Sequence, residues 1–267
     1  MPGFSPACLE FKFMRILVTF AVEAEFAPWR KLRTLQPMTV EGIEMFHAQI
    51  GRAAVDFVVT GMGMENARRA AELATSVPHT ICIAAGFAGS LKTTHKIGDI
   101  LVARAVQQIG KSKTIECSRS LYTVAFADQA VRAKMFLSAD TVVATAEEKK
   151  RLSPFGDAVD MESYAILSVA KEKDLPAIAI RVISDRFDED LPADLDMTVD
   201  EKGRVKVSGV FRHVAYHPLQ LPALIRLGRH SRTAAEALAH FLESYIKKLS
   251  FHTHGWPPPE LQEVAAR

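Results

Sequence analysis

The chain has 267 residues, of which 48% are hydrophobic and 24% charged, and its net charge is +2 at pH 7. This length suits one α/β domain with a sizeable core, and the composition is that of a globular protein in water. A near-neutral balance gives no electrostatic case for a nucleic-acid partner, and no apolar run reaches the length of a membrane span. The three cysteines, Cys8, Cys82 and Cys117, form no CxxC pair. They argue against a disulfide scaffold or zinc knuckle and fit a reducing cytoplasm.

Residues 1–13 read as a loose leader without the basic-then-apolar order of a signal peptide. Residues 14–20 (MRILVTF) read as a buried strand, and residues 21–32 as a helix with Glu23 and Glu25 in its first turn. Residues 43–50 and 54–60 read as strands joined by a turn at Gly51 and Arg52. GMGMEN (61–66) opens a helix to about residue 77, and the strand 80–85 ends in a glycine loop, GFAGS (86–90). A strand is expected at 100–106, a polar loop at 107–120, a helix at 125–134 and a strand within 135–143. The helix 145–152 carries the run EEKKR, which reads as a solvated face.

Residues 158–185 read as strand, helix, strand, which implies parallel strands in one sheet. Asp160 and Glu162 then stand at the carboxyl end of the first strand and Asp185 at that of the second, where α/β sheets bind ligands. Glu162, in the first turn of its helix, is expected to stay ionised. Asp185 has only Ser184 as a polar neighbour in the chain, so desolvation is expected to raise its pKa and suit it to donating a proton. Spacing alone leaves open whether these acids do chemistry or only cap their helix and strand.

Residues 186–207 are acidic and lack an apolar period. They contain a candidate hairpin turning at Asp200 to Gly203 and form a candidate lid. Residues 223–249 read as a long helical stretch with an interruption near Gly228, and residues 250–267 as a tail. One domain therefore spans residues 14–249.

GMGMEN has the place of a dinucleotide fingerprint, but Asn66 replaces its third glycine and the next strand ends in no acid for a ribose. What remains is a glycine loop at a helix start, suited to an anion or a sugar hydroxyl. His213 and His217 lack a third ligand nearby, and DLDMTVD departs from the calcium-loop pattern, so no metal is expected. No GxSxG is present.

Taken together, AVEAE (21–25), GFAGSL (86–91), KIGDILV (96–102), VDMESYA (159–165) and RVISD (181–185) resemble motifs of the purine nucleoside phosphorylase and nucleosidase superfamily. The chain is most similar to its 5′-methylthioadenosine/S-adenosylhomocysteine nucleosidases. The resemblance implies a single α/β domain, a central mixed sheet flanked by helices. It implies that Asp185 protonates the purine leaving group with Ser184 orienting it, and that Glu162 and Met161 hold the ribose. Glu25 would activate the attacking water, Val142 and Val143 would line the base pocket, and Gly86 belongs to the central glycine loop. Phe87 stands where these nucleosidases usually carry a small hydroxyl residue, and the segment after Asp185 is longer than theirs.

The implied reaction is cleavage of the N-glycosidic bond of an adenosine-type nucleoside in a cytoplasmic homo-oligomer, most simply a dimer. An ionised carboxylate near the sugar, a protonated acid at the base and a third acid for water cover this chemistry without a cofactor. Hydrolysis is favoured over phosphorolysis because Glu25 would repel phosphate and no arginine adjoins GFAGS in the chain. Phosphate would be the co-substrate of a phosphorylase, including the hopanoid-associated branch, with Arg30, Arg33 and Arg52 as possible ligands. A futalosine-type nucleosidase and a non-catalytic nucleoside-binding protein are the remaining alternatives.

Overall fold

Apolar, β-branched runs decide where the sheet lies. In the computed structural model, which describes residues 14–126, 130–192 and 221–251, ten strands form one mixed sheet. They are β1 (Arg15–Phe20), β2 (Gln36–Val40), β3 (Ile43–Ile50), β4 (Ala53–Val59), β5 (Ile81–Ser90), β6 (Ile100–Gln108), β7 (Thr114–Glu116), β8 (Val131–Ser138), β9 (Ala158–Asp160) and β10 (Ala177–Asp185). The helices are α1 (Glu23–Leu32), α2 (Met64–Ala74), α3 (Arg119–Ala125), α4 (Ala146–Leu152), α5 (Ser163–Glu172) and α6 (Leu221–Phe251). α2 packs on α5 and α1 on α6, and α6 also lies against β10. The core fills the space between helices and sheet, and every residue of β10 after Ala177 is buried.

β5 is the axis of this sheet. Its first half runs parallel to β1, and its length from Cys82 to Gly89 runs parallel to β10. Its last residues turn to a third partner, with Gly89 opposite Val159 and Ser90 opposite Ala158 in antiparallel β9. β10 pairs antiparallel with β6, and β6, β8 and β9 run parallel, so β5, β10, β6, β8 and β9 close a circuit. Asp185 and Val159 consequently flank the same residue, Gly89, from opposite sides.

This circuit corrects the expectation of parallel strands around residues 158–185. β9 and β10 lie on either side of β5 and run in opposite senses. The parallel rule holds for strands within a regular open sheet; here β9 is three residues long and crosses the end of β5. Other departures are local. GFAGS is the second half of β5 rather than a loop, and residues 107–120 contain the end of β6, all of β7 and the start of α3. The helix expected at 125–134 ends at Ala125, and β8 begins at Val131. Polar residues misled there because β7 is a short strand with one buried residue, Ile115. β2, with Pro37 and little burial, went unread. α6 runs through Gly228 without interruption. The leader, the hairpin at 197–207 and the tail beyond Phe251 lie outside the described residues.

Asp56, fully buried on β4, ties β1, β3 and the connection before β5 together. It accepts from Arg15 Nε at 2.6 Å and contacts His47 Nδ1 at 2.7 Å and His79 Nε2 at 3.0 Å. Burial pushes its pKa up, but bonding to His79, His47 and Arg15 outweighs this and holds it well below the usual 3.8. The stability it contributes is therefore present above pH 3.8 and lost as pH falls further. Asp56→Ala should cost about 3 kcal/mol at neutral pH, the low end for breaking a buried pair, because the partners Arg15 and His47 remain 32% and 33% exposed. Urea unfolding tests this; a midpoint equal to that of the unmodified protein would contradict it.

Candidate active site

Asp185 ends β10 on an irregularity. The pairing with β5 shifts between Ile183 and Asp185, leaving Ser184 as the extra residue. Such a bulge re-aims the next side chain. Ser184 Oγ donates to Asp185 Oδ1 at 2.9 Å. The carboxylate packs so close to β5 that a Cβ at position 89 would lie 2.8 Å from Oδ2, so only glycine fits there. The expectation that Ser184 is the only polar neighbour does not hold. Lys149 of α4, buried beneath the carboxylate, places Nζ 2.6 Å from Oδ2. The run EEKKR is thus a solvated face except at Lys149, which points inward.

Four positions before Asp185 on β10, Arg181 is also fully buried. Its Nε lies 2.9 Å from Asp160 Oδ2 and its Nη1 3.6 Å from Glu162 Oε2. It also donates to Ser163 Oγ and to the Phe87 carbonyl. Asp160 in turn is held by Ser138 Oγ at 2.7 Å and by the N–H groups of Glu162 and Ser163 at the start of α5. Arg181 lies within RVISD (181–185), a motif in which the resemblance assigns roles only to Ser184 and Asp185. A lone charge in an apolar strand was the available signal, since a buried arginine requires partners.

Glu25 is the third acid of this cluster. It leaves the first turn of α1 and accepts from the N–H groups of Ala21 (2.6 Å), Val22 (3.1 Å) and Phe87 (2.6 Å). Burial pushes its pKa above the ordinary range, against the pull of Arg181 and the three N–H donors. Gly86 makes the approach possible: a Cβ there would run into Arg181 Nη1 and come within 2.7 Å of Glu25 Oε1. Phe87 serves through its main chain, so its departure from a small hydroxyl residue leaves the N–H to Glu25 intact.

Glu162 differs from expectation in charge. It is the residue before α5, its side chain does not cap that helix, and it accepts instead from Gly63 N at 2.9 Å. The anion at the glycine loop GMGMEN is thus the protein's own carboxylate. Burial pushes the Glu162 pKa up to about 7, and Asp160 and Glu25 add to this against Arg181 and the Gly63 N–H. One helix terminus does not offset full desolvation beside two further carboxylates.

These groups open onto one cavity of about 880 Å³. Glu25, Phe87, Val142, Val143, Met161, Glu162, Ser184 and Asp185 all line it, and Gly86 lies behind the wall. Gly86 and Gly89, three residues apart on β5, separate the Glu25–Arg181–Glu162 end from the Asp185 end by about 10 Å. The remainder, between α1 and α6, is largely apolar, with Pro28, Leu32, Leu224 and Leu227 among its walls, and Lys31, Arg232, Glu236 and His240 also line it. No group of three or more metal-ligating side chains occurs among the described residues. The arrangement is one for acid–base chemistry on a neutral ligand that is polar at one end and apolar elsewhere.

Comparison with known proteins agrees with this geometry. A curated 5′-methylthioadenosine/S-adenosylhomocysteine nucleosidase of Shewanella denitrificans is 25% identical over 221 residues, covering 71% of this chain and 94% of the relative. Among solved structures, the nucleosidase of that name from Helicobacter pylori, bound to butyl-thio-DADMe-Immucillin-A, superposes with a TM-score of 0.68. It is 21% identical, over 89% of this chain and 99% of that one. An S-adenosylhomocysteine nucleosidase from Streptococcus pyogenes gives 0.69 at 17% identity, over 90% and 99% of the two chains. These likenesses show a shared fold. The model of the phosphorylase superfamily matches residues 15–215. Because that match covers residues 15–215, from β1 past Asp185, and takes in Glu25, Glu162 and Asp185, the chain belongs to the phosphorylase superfamily.

Proposed function

We propose that this chain hydrolyses the N-glycosidic bond of an adenosine-type purine nucleoside, releasing the free base and a ribosyl product. One observation carries the reading: Glu25, Glu162 and Asp185 face a single cavity, with a buried cation paired to Glu162 and acting by its charge on Glu25, and with Asp185 set apart. Asp185 gives a proton to the five-membered ring of the base as the bond between C1′ and the base breaks. The electron pair leaves with the base, and the sugar becomes cationic. Glu162 accepts from the ribose hydroxyls, and its negative charge stabilises that cation. Glu25 takes a proton from the water whose oxygen bonds to C1′, a task suited to a carboxylate whose pKa burial raises above the ordinary range. Val142, Val143 and Met161 supply apolar walls to the base and sugar. No cofactor is required to balance this reaction.

Water is favoured over phosphate for electrostatic reasons. An arginine does adjoin GFAGS in space, although none does in the chain. Its guanidinium is, however, occupied by Asp160, Glu162, Ser163 and the Phe87 carbonyl, in the company of Glu25. Three carboxylates around one cation leave a site that repels an anion. Arg30, Arg33 and Arg52 do not line the cavity; they engage Glu23, Glu243 and the Phe251 ring respectively. The relative from Shewanella denitrificans supports the same acceptor by its name. The apolar walls between α1 and α6 favour an apolar substituent on the ribose 5′ carbon. We place the enzyme in the cytoplasm as a homodimer: Cys82 and Cys117 are buried free thiols, and Phe155 is 68% exposed. No helix among the described residues is long and apolar enough to cross a membrane.

Methylthioadenosine should release adenine at the same rate with and without added phosphate, and phosphate-dependent turnover would overturn hydrolysis. Asp185→Asn should lower kcat by about 10³-fold, with the dissociation constant of a nucleoside analogue little changed; near-normal turnover would refute its role as the acid. Glu162 stabilises the sugar cation by its charge only when ionised, so kcat/KM should fall as the pH drops through about 7. A profile flat across that range would contradict its role.

A further inference from the structure

Lys149 is not used by the reaction as described so far, yet it is completely buried in the middle of the most charged helix of the chain. Its ammonium has three N–H donors and three partners: Asp185 Oδ2 at 2.6 Å, the Arg186 carbonyl at 2.7 Å and the Glu189 carbonyl at 2.9 Å. Asp185 lines the cavity and Lys149 does not. The carboxylate therefore stands between the ammonium and the ligand. On its other oxygen, Oδ1, it receives the Ser184 hydroxyl. The hydroxyl donates to Oδ1 and the ammonium is in ion-pair contact with Oδ2, surroundings that suit an acceptor-only carboxylate. Cleavage nevertheless requires Asp185 to deliver a proton.

The other charged groups nearby are committed elsewhere. On the segment after β10, Arg186 pairs with Asp188 at the surface. Asp188 feels the Lys149 charge only as a minor influence, and the Glu189 carboxylate is held by Arg226 and His230 of α6. On β9, Asp160 is engaged by Arg181 and Ser138. Among the described residues, Asp185 is the one carboxylate in ion-pair contact with Lys149, and Lys149 is the one cation in contact with Asp185.

We propose that Lys149 is the proton reservoir of Asp185, a positioning residue that acts on the substrate only through that carboxylate. This rests on the glycosidic-cleavage reading above. The pair carries one transferable proton. As the C1′ bond breaks, Asp185 takes a proton from Lys149 Nζ, and that same proton passes on from Asp185 to the ring nitrogen of the departing base. Lys149 is then a neutral amine and Asp185 again a carboxylate. After the base leaves, a proton from water in the cavity returns through Asp185 to Nζ. The proton count balances, because Glu25 releases to solvent the proton it took from the attacking water.

The pH profile of kcat distinguishes this from a purely structural lysine. A coupled pair retains its proton to higher pH than an isolated buried carboxyl. In Lys149→Met the alkaline limb should begin more than about one pH unit lower, and kcat at alkaline pH should fall by about 10²-fold with KM little changed. A limb at the same or higher pH would overturn the proposal. A second measurement needs no turnover and so stands apart from the hydrolase reading. In the substrate-free protein, NMR titration of the Lys149 ammonium should show it losing its proton at lower pH in Asp185→Asn than in the unmodified chain. An unchanged titration would show that the pair is uncoupled and would overturn the proposal.

Discussion

A single buried guanidinium organises the sugar end of this site. Placing Asp160, Glu162 and Glu25 out of water is costly, and Arg181 is the counter-charge that offsets it. The geometry follows from that requirement. Arg181 pairs with Asp160 and Glu162 and acts by its charge on Glu25; a side chain at position 86 would collide with Arg181 and Glu25, and Arg181 is steadied by Ser163 at the start of α5. One cation for three carboxylates is deliberately short of neutrality in electrostatic terms. Burial keeps Glu162 and Glu25 above the ordinary carboxylate range even with Arg181 beside them. The shortfall leaves a field that favours a cationic sugar and disfavours phosphate.

The two ends of the cavity are spaced by β5. Gly86 admits the Arg181–Glu25 cluster and Gly89 admits Asp185, so the strand serves as a ruler between sugar chemistry and base chemistry. The antiparallel return of β9 against the last two residues of β5 brings Glu162 to the same cavity from the opposite side. The bulge at Ser184 turns Asp185 out of the sheet register and onto the buried ammonium of Lys149. A regular open sheet would have lined these acids along one edge; the closed circuit lets them surround a ligand.

Much of this was legible from residues alone. Glu25, Glu162 and Asp185 follow apolar strands, and the motifs around them carry a specific resemblance, so the fold family and the lining of the cavity were readable. Charge states were not. They depend on what folds against each acid from elsewhere in the chain. For Glu162 those neighbours are Asp160, Glu25, Arg181 and the Gly63 N–H. Lys149 was hidden because a charged run on a short helix has the same pattern whether one member points inward or none does. Arg181 was less hidden, standing alone in an apolar strand. The sense of β9 was unreadable because a three-residue strand has no pattern that fixes its partners.

The account's central claim is that water, activated by Glu25 beside a cation already occupied by carboxylates, attacks the sugar. The most direct test is to run the reaction in ¹⁸O-labelled water with phosphate present and analyse the sugar product by mass spectrometry. The account predicts a free sugar carrying one labelled oxygen at C1′. An unlabelled sugar 1-phosphate would contradict it.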